Sequence, residues 1–78
     1  MQLKLTWRIE GQRDVDVIVN PEQTIVETIH VLVERGIVDC DNVSNTKYVK
    51  SIRQMKQVNT LLSYDEAAIY TGDIIELI

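Results

Sequence analysis

The chain has 78 residues, of which 45% are hydrophobic and 26% charged, so we expect one globular domain over residues 1–78. Its formal charge of −4 argues against nucleic acid as the main partner, because binding to phosphates needs an excess of Lys and Arg. No apolar run reaches the roughly 18 residues of a membrane span and the start lacks the apolar stretch of a signal peptide, which predicts a cytoplasmic protein without membrane insertion.

The first 20 residues predict a β-hairpin. Residues 1–10 alternate strictly between apolar side chains at odd positions and polar ones at even positions, the period of a half-buried strand. Gly11 lies in the predicted turn, and the valine-rich segment 15–19 resumes the alternation. Ile18 is an exception, since it places an apolar side chain on the polar face.

A helix is predicted from Ile25 to Arg35. Thr24 and Glu27 have the spacing of a capping box, in which each side chain accepts a hydrogen bond from the other residue's backbone N–H. The apolar residues that follow form one helical stripe: Ile25, Ile29, Leu32 and Val33. Gly36 is placed to end the helix in a left-handed conformation.

Residues 38–46 predict a loop, because they lack periodicity and are rich in Asp, Asn, Ser and Thr. The single cysteine, Cys40, lies in this loop and has no second cysteine for an internal disulfide. The single histidine, His30, is expected at the rim of the helical stripe. Together they are too few soft ligands for a zinc site, and we expect no cofactor.

The segment from Lys47 to Val58 fits either a helix or a strand. Tyr48, Ile52 and Met55 have a helical spacing, yet Tyr, Val and Ile favour strands. The apolar surfaces of the hairpin and the helix require at least one more strand. We therefore predict a bent third strand near residues 48–54 and a short fourth strand near 57–59.

The end of the sequence predicts one turn of helix and a final strand. Ser63 and Glu66 form a second capping box, which opens a helical turn over Tyr64–Ala68. After a turn at residues 71–73, the segment 74–78 is apolar on both faces. Such a strand belongs in the middle of a sheet or beside a binding patch, because an apolar edge strand invites aggregation.

This order of elements predicts an α+β fold. A right-handed crossover places the last strand parallel to and beside the first, with the helix across the apolar face of a mixed four- to five-stranded sheet. This arrangement is the β-grasp, and the sequence resembles ubiquitin in three places along the chain. These are Met1-Gln2-Leu3, Asn20-Pro21 before Thr24-Ile25, and Thr60-Leu61 with Ser63-Tyr64.

The closer likeness is to the YukD-like, or EsaB-like, group of small bacterial ubiquitin-like proteins that occur with type VII secretion systems. It is carried by the length, the alternating first strand and the ending from Glu66 to Ile75, EAAIYTGDII. The resemblance implies a non-enzymatic cytoplasmic accessory or regulator of such a system. Its partners would be proteins, including membrane components of the machinery, with no small-molecule substrate. The alternatives are a β-grasp interaction domain of another assembly and a divergent sulfur carrier or modifier with a truncated tail.

Two absences in the sequence bear on mechanism. Ubiquitin and the sulfur carriers act through a flexible Gly-Gly tail, whereas this sequence ends in Leu77-Ile78, so we expect no conjugation. The sequence also shows no Ser/His/Asp set and no glycine-rich phosphate loop, so we expect no enzyme.

Protein binding is predicted on the sheet face that points away from the helix. The first strand contributes Lys4 and Arg8, the third strand Lys50, and the last strand Glu76 and Ile78. Ile78 stands where ubiquitin has part of its apolar patch. The alternative is a solvated sheet face without a partner.

Overall fold

The computed structural model describes residues 1–38 and 47–77. Its elements, in chain order, are β1 (Leu3–Arg8), β2 (Val15–Val19), α1 (Ile25–Glu34), β3 (Tyr48–Ser51), β4 (Lys56–Asn59) and β5 (Ile74–Leu77). Apart from Val38, the predicted loop over 38–46, with Cys40, lies outside the described residues. The same holds for Ile78.

The five strands form one mixed sheet in the order β2-β1-β5-β3-β4. β1 and β5 are parallel, and every other neighbouring pair is antiparallel. The predicted pairing of the first and last strands is therefore confirmed. β5 is the central strand of the sheet, which explains why its sequence is apolar on both faces.

The core lies between the sheet and α1. The odd residues of the first strand segment, Leu3, Leu5, Trp7 and Ile9, all point into it and are at most 7% exposed. Val49, Val58 and Ile75 extend the same layer across the other strands: all three are buried. The period-two alternation of the sequence thus identifies the face of the sheet that the helix covers.

The start of α1 is capped differently from the prediction. The helix begins at Ile25 as expected, but the Thr24 side chain makes no capping hydrogen bond. Instead, the N–H groups of Ile25 and Val26 donate to the carbonyl oxygens of Leu62 (3.0 Å) and Thr60 (2.9 Å). These tertiary partners satisfy two of the free N–H groups of the first helical turn, and the N–H of Glu27 donates to the Thr24 carbonyl oxygen (3.2 Å). The predicted side-chain box at Thr24 is therefore wrong.

The end of α1 is formed by a glycine in the left-handed conformation. The helix ends at Glu34, one residue before the predicted Arg35, which serves as its C-cap. Gly36 has φ +72°, and its N–H donates to the carbonyl oxygen of Val33 (3.0 Å). The N–H of Ile37 donates to the carbonyl oxygen of Leu32 (2.9 Å). This bond completes a Schellman motif and confirms the predicted glycine cap.

Gly36→Ala is expected to lower the free energy of unfolding by about 1 kcal/mol, because a Cβ disfavours positive φ. Urea unfolding followed by fluorescence measures the loss, with Trp7, the single tryptophan, as the probe. Gly36→Asn is the matched control, since asparagine tolerates this conformation better than alanine. An alanine variant as stable as the wild type would contradict the assignment of this cap.

The third strand is shorter than predicted. β3 ends at Ser51 rather than near residue 54, and a turn follows in which Met55 has φ +55°. The N–H of Arg53 does not bond to a neighbouring strand and donates instead to the Asp73 carboxylate (3.0 Å). This contact draws the chain into the turn, and β4 begins at Lys56, one residue earlier than predicted.

The second capping box is confirmed. The N–H of Ser63 donates to Glu66 Oε1 and the N–H of Glu66 donates to Ser63 Oγ, both at 3.0 Å. Hydrogen bonding of the Glu66 carboxyl to the backbone N–H and then to the side chain of Ser63 holds the pKa of Glu66 below its usual value. Residues 64–68 form a succession of turns rather than the predicted helix, and Ala68, at φ +57°, ends them.

Candidate functional site

Four of the five predicted binding residues lie on the sheet face opposite α1, which we call the outer face: Lys4, Arg8, Lys50 and Glu76. In the strand register Arg8 is opposite Glu76, and Glu76 is opposite Lys50. These three predicted residues therefore form one row across β1, β5 and β3, with charges that alternate in sign. Lys4 lies on the same face of β1, opposite Ile18 of β2 and apart from that row.

Arg8 is the centre of two exposed ion pairs. Its Nε lies 3.8 Å from Asp14 Oδ1, and its Nη1 lies 4.0 Å from Glu76 Oε2. The three side chains are between 39% and 49% exposed, so water screens these pairs and each contributes little to stability. Their charges remain accessible to a partner. Asp14 was missed by the sequence reasoning, since a residue of the hairpin turn carries no strand periodicity.

The outer face also has apolar and neutral parts. Ile18 is 65% exposed beside Lys4, and Tyr48 of β3 is 49% exposed. Between Lys4 and Arg8, Thr6 Oγ1 donates a hydrogen bond to Asp16 Oδ1 at 2.9 Å. The face therefore presents cations, carboxylates and apolar side chains together.

A second polar cluster, around Asp73, is buried. The Asp73 side chain is 0% exposed and accepts a hydrogen bond from Ser51 Oγ at 2.6 Å. The backbone N–H groups of Arg53 (3.0 Å) and Ile74 (2.8 Å) donate to its other oxygen. Arg53 Nε lies 4.0 Å from the carboxylate. The sequence signal was Gly72-Asp73 before the last strand, but turn residues of this kind are usually exposed.

Arg53 and Gln54 extend this cluster to the segment before β5. Arg53 lies over the ring of Tyr70, 5.0 Å from its centroid, and donates to the carbonyl oxygen of Ala68. Gln54 Nε2 donates to Ser51 Oγ (3.2 Å) and to the carbonyl oxygen of Ala67 (3.0 Å). The cluster joins the β3–β4 hairpin to residues 67–73, which is a structural role, since its carboxylate is out of reach of a ligand.

A third polar group lies inside the core. Tyr64 is fully buried and its hydroxyl donates to Thr28 Oγ1 at 2.6 Å. Burial raises the pKa of the Tyr64 phenol to about 12. The buried indole N–H of Trp7 approaches that phenol and opposes the rise, although it makes no hydrogen bond of ordinary geometry within the described chain.

Neither a cluster of metal ligands nor a membrane-spanning helix occurs among the described residues. Across residues 1–38 and 47–77, no three or more His, Cys, Asp or Glu side chains are grouped so that they can hold a metal ion. In the same part of the chain, no helix has both the length and the apolar character needed to cross a membrane.

Comparison with known proteins shows the fold. No protein-family profile matches the chain, and no curated protein sequence matches it. A protein designed de novo on the basis of ubiquitin is 23% identical, with a TM-score of 0.74 over 99% of this chain and 87% of that one. Caldiarchaeum subterraneum ubiquitin is 14% identical, with a TM-score of 0.75 over 100% and 92%.

The ubiquitin-like domain of Plasmodium falciparum Dsk2 is a third similar structure. It is 13% identical, with a TM-score of 0.65 over 97% of each chain. At these identities the likeness shows the fold alone. The chain has a ubiquitin-like β-grasp fold, as its sequence predicted.

Proposed function

We propose that this chain is a non-enzymatic protein-binding module that docks a partner on its outer face. The observation that carries the proposal is the row of Arg8, Glu76 and Lys50, which three neighbouring strands bring together in exposed or half-exposed positions. Lys4 and Ile18 add a cation and an apolar side chain at the other end of the face. Ile78, the fifth predicted residue, lies outside the described residues.

The charges of the row favour recognition over stability. Both ion pairs of Arg8 are solvent-exposed and close to the 4.0 Å limit of such contacts. The carboxylates of a partner can therefore take the place of Asp14 and Glu76 beside Arg8 at a small desolvation cost. Beside the row, Arg8, Glu10, Glu76 and Leu77 line a shallow depression of about 430 Å³. It offers a partner side chain a recess with charged walls.

The finer proposal is a cytoplasmic accessory or regulator of a type VII secretion system, with membrane components of the machinery as partners. It is supported by the resemblance of the sequence to YukD-like proteins, above all in residues 66–75. The ubiquitin-like fold is compatible with this role and with other protein-binding roles. Identification of the partner therefore decides between them.

A photo-crosslinking experiment in the native host tests the outer face. A crosslinking amino acid replaces Lys4 or Lys50, and in the control it replaces Glu27, which is exposed on α1. We expect a defined crosslinked band from the first two positions and none from Glu27, with mass spectrometry identifying the partner. A band from Glu27 alone would place the interface elsewhere.

Charge reversal tests the row itself. Lys50→Glu faces Glu76 with a like charge, so we expect the crosslink from Lys4 to fall about tenfold, together with export of the system's substrates. Lys56→Glu makes the same charge change on an exposed residue of β4 and is the matched control. Reduced binding with normal export would retain the binding module and reject the secretion role.

A further inference from the structure

The strand β2 is an edge of the sheet with an open hydrogen-bonding side. Its only neighbour among the described strands is β1. The N–H of Thr6 donates to the Asp73 carbonyl and the N–H of Gly72 donates to the Lys4 carbonyl, so the even residues of β1 bond towards β5. The odd residues of β1 therefore bond to β2, which leaves the backbone groups of Asp16 and Ile18 pointing outwards.

This open edge lacks Lys and Pro, two residues that discourage pairing at an edge, and its one charged residue is Asp16. Edge strands commonly carry Lys or Pro, which discourage a further strand, and β4, at the other edge, begins with Lys56. β2 has the sequence VDVIV, with neither. No backbone group of Asp16 or Ile18 bonds to another element within the described residues. The edge is thus a template for one more strand.

A groove runs beside this edge, between β2 and α1. It has a volume of about 320 Å³, and Val15, Val17, Val19 and Leu32 are among its mostly apolar lining residues. Val31 forms part of the helical wall and is 41% exposed. In strand addition, backbone bonds to the edge supply affinity and alternate side chains enter an adjacent pocket. The open edge of β2 and the groove beside it can serve these two purposes: backbone pairing and the binding of alternate side chains.

The charges of the groove indicate the chemistry of its occupant. Its two charged lining residues are Asp16 and Arg35. Asp16 already accepts the hydrogen bond from Thr6, whereas Arg35 makes no ion pair with any described residue. An acidic residue on the occupant therefore complements the groove. A second copy fits poorly, because the inward-facing valines of its own β2 pack against its own core.

We propose that β2 and this groove bind an extended segment of another protein, which adds to the sheet as a sixth strand. Alternate apolar side chains of the segment enter the groove, and an Asp or Glu of the segment pairs with Arg35. This site lies at the edge and helix side of the sheet. It shares Ile18 with the outer face, whereas Val31 and Arg35 belong to the groove alone and separate the two sites in a test.

Selection from a phage-displayed library of short random peptides, with the whole chain as bait, tests the proposal. We expect enriched peptides that combine alternating apolar residues with Asp or Glu. In ¹H–¹⁵N spectra their binding is expected to shift residues 15–19 and the helix residues from Thr28 to Arg35. Failure to enrich such peptides, or shifts centred on Lys50 and Glu76, would overturn the proposal.

Variants of the site make the test specific. Ile18→Pro removes an outward N–H without breaking the β1–β2 ladder, and Val31→Asp places a charge in the groove wall. Each is expected to weaken the selected peptide at least tenfold, and Arg35→Glu about tenfold. Leu61→Asp alters a 73% exposed residue that does not line the groove and is the control.

Two further outcomes can be distinguished: misfolding of Ile18→Pro and self-association of the chain. Val31→Asp and Arg35→Glu change exposed side chains, so they remain informative if Ile18→Pro fails to fold. Unchanged peptide affinity in both would reject the groove. Sedimentation of the wild type alone tests a second copy: self-association that Ile18→Pro abolishes would show that the edge pairs with itself and would overturn the proposal.

Discussion

Asp73→Ala is expected to lower the free energy of unfolding by about 3–5 kcal/mol, because it leaves buried donors without an acceptor. The carboxylate is 0% exposed and accepts bonds from Ser51 Oγ and from the N–H groups of Arg53 and Ile74. A domain of this size has a total stability of about 4–12 kcal/mol, so the loss is a large part of it. Urea unfolding followed by the fluorescence of buried Trp7 measures the change.

Two controls separate this effect from a general loss of charge. Asp73→Asn keeps an oxygen for the two backbone N–H groups, so we expect it to cost less than the alanine variant. Asp65→Ala removes an exposed carboxylate from the nearby turns and is expected to change stability by less than about 0.5 kcal/mol. Equal losses of unfolding free energy in Asp73→Ala and Asp65→Ala would show that the buried cluster does not stabilise the packing of the β3–β4 hairpin.

Alkaline pH is expected to remove about 2–3 kcal/mol of stability through Tyr64. Burial raises the pKa of its phenol to about 12, while the unfolded chain ionises this group near its ordinary value of 10.0. A pKa that is higher in the folded state stabilises the fold fully below pH 10, and that contribution is lost as the pH rises through about 12. Urea unfolding at a series of pH values from 9 to 12 measures it.

Tyr64→Phe isolates the effect of the Tyr64 phenol, because every other side chain is the same in the two proteins. The variant lacks the bond to Thr28 and is expected to be less stable at neutral pH by about 1 kcal/mol. Its stability is then expected to fall less steeply than that of the wild type above pH 10. Parallel curves for the two proteins would contradict the assignment of the shift to Tyr64.

The elements that could be predicted are those encoded by local periodicity. The alternation of residues 1–10 gave the buried face of β1, and the apolar stripe beginning at Ile25 gave the helix. Gly36 marked the helix end, because the left-handed cap depends on one residue and its neighbours. The two apolar faces of residues 74–78 indicated a strand in the middle of the sheet or beside a binding patch, and β5 is the central strand.

The features that could not be predicted depend on contacts between distant segments. The capping of α1 depends on the carbonyl groups of Thr60 and Leu62, which local spacing around Thr24 cannot reveal. The early end of β3 depends on Asp73, 22 residues beyond Ser51, and an aspartate beside a turn glycine gives no sign of burial.

Of the two candidate surfaces, the row on the outer face could be predicted from the sequence and the groove beside β2 could not. Parallel pairing of the first and last strands was enough to bring Arg8 and Glu76 to one face, and Lys50 followed from the neighbouring strand. The groove beside β2 was missed, because an edge is a property of strand order and not of alternation. Arg35 was assigned only to the end of the helix, although its position there places it at the groove.

The central position of β5 has a consequence for folding during synthesis. The β1–β2 hairpin with its helix and the β3–β4 hairpin are each local in sequence, but both pair with β5, which is synthesised after the other four described strands. Until then the two halves have no ladder in common, and the pairing of β1 with β5 closes a loop of nearly the whole chain. The nascent protein therefore passes through a state in which β1 and β3 each have one unpaired side, and we expect chaperone contacts to cease once β5 is released.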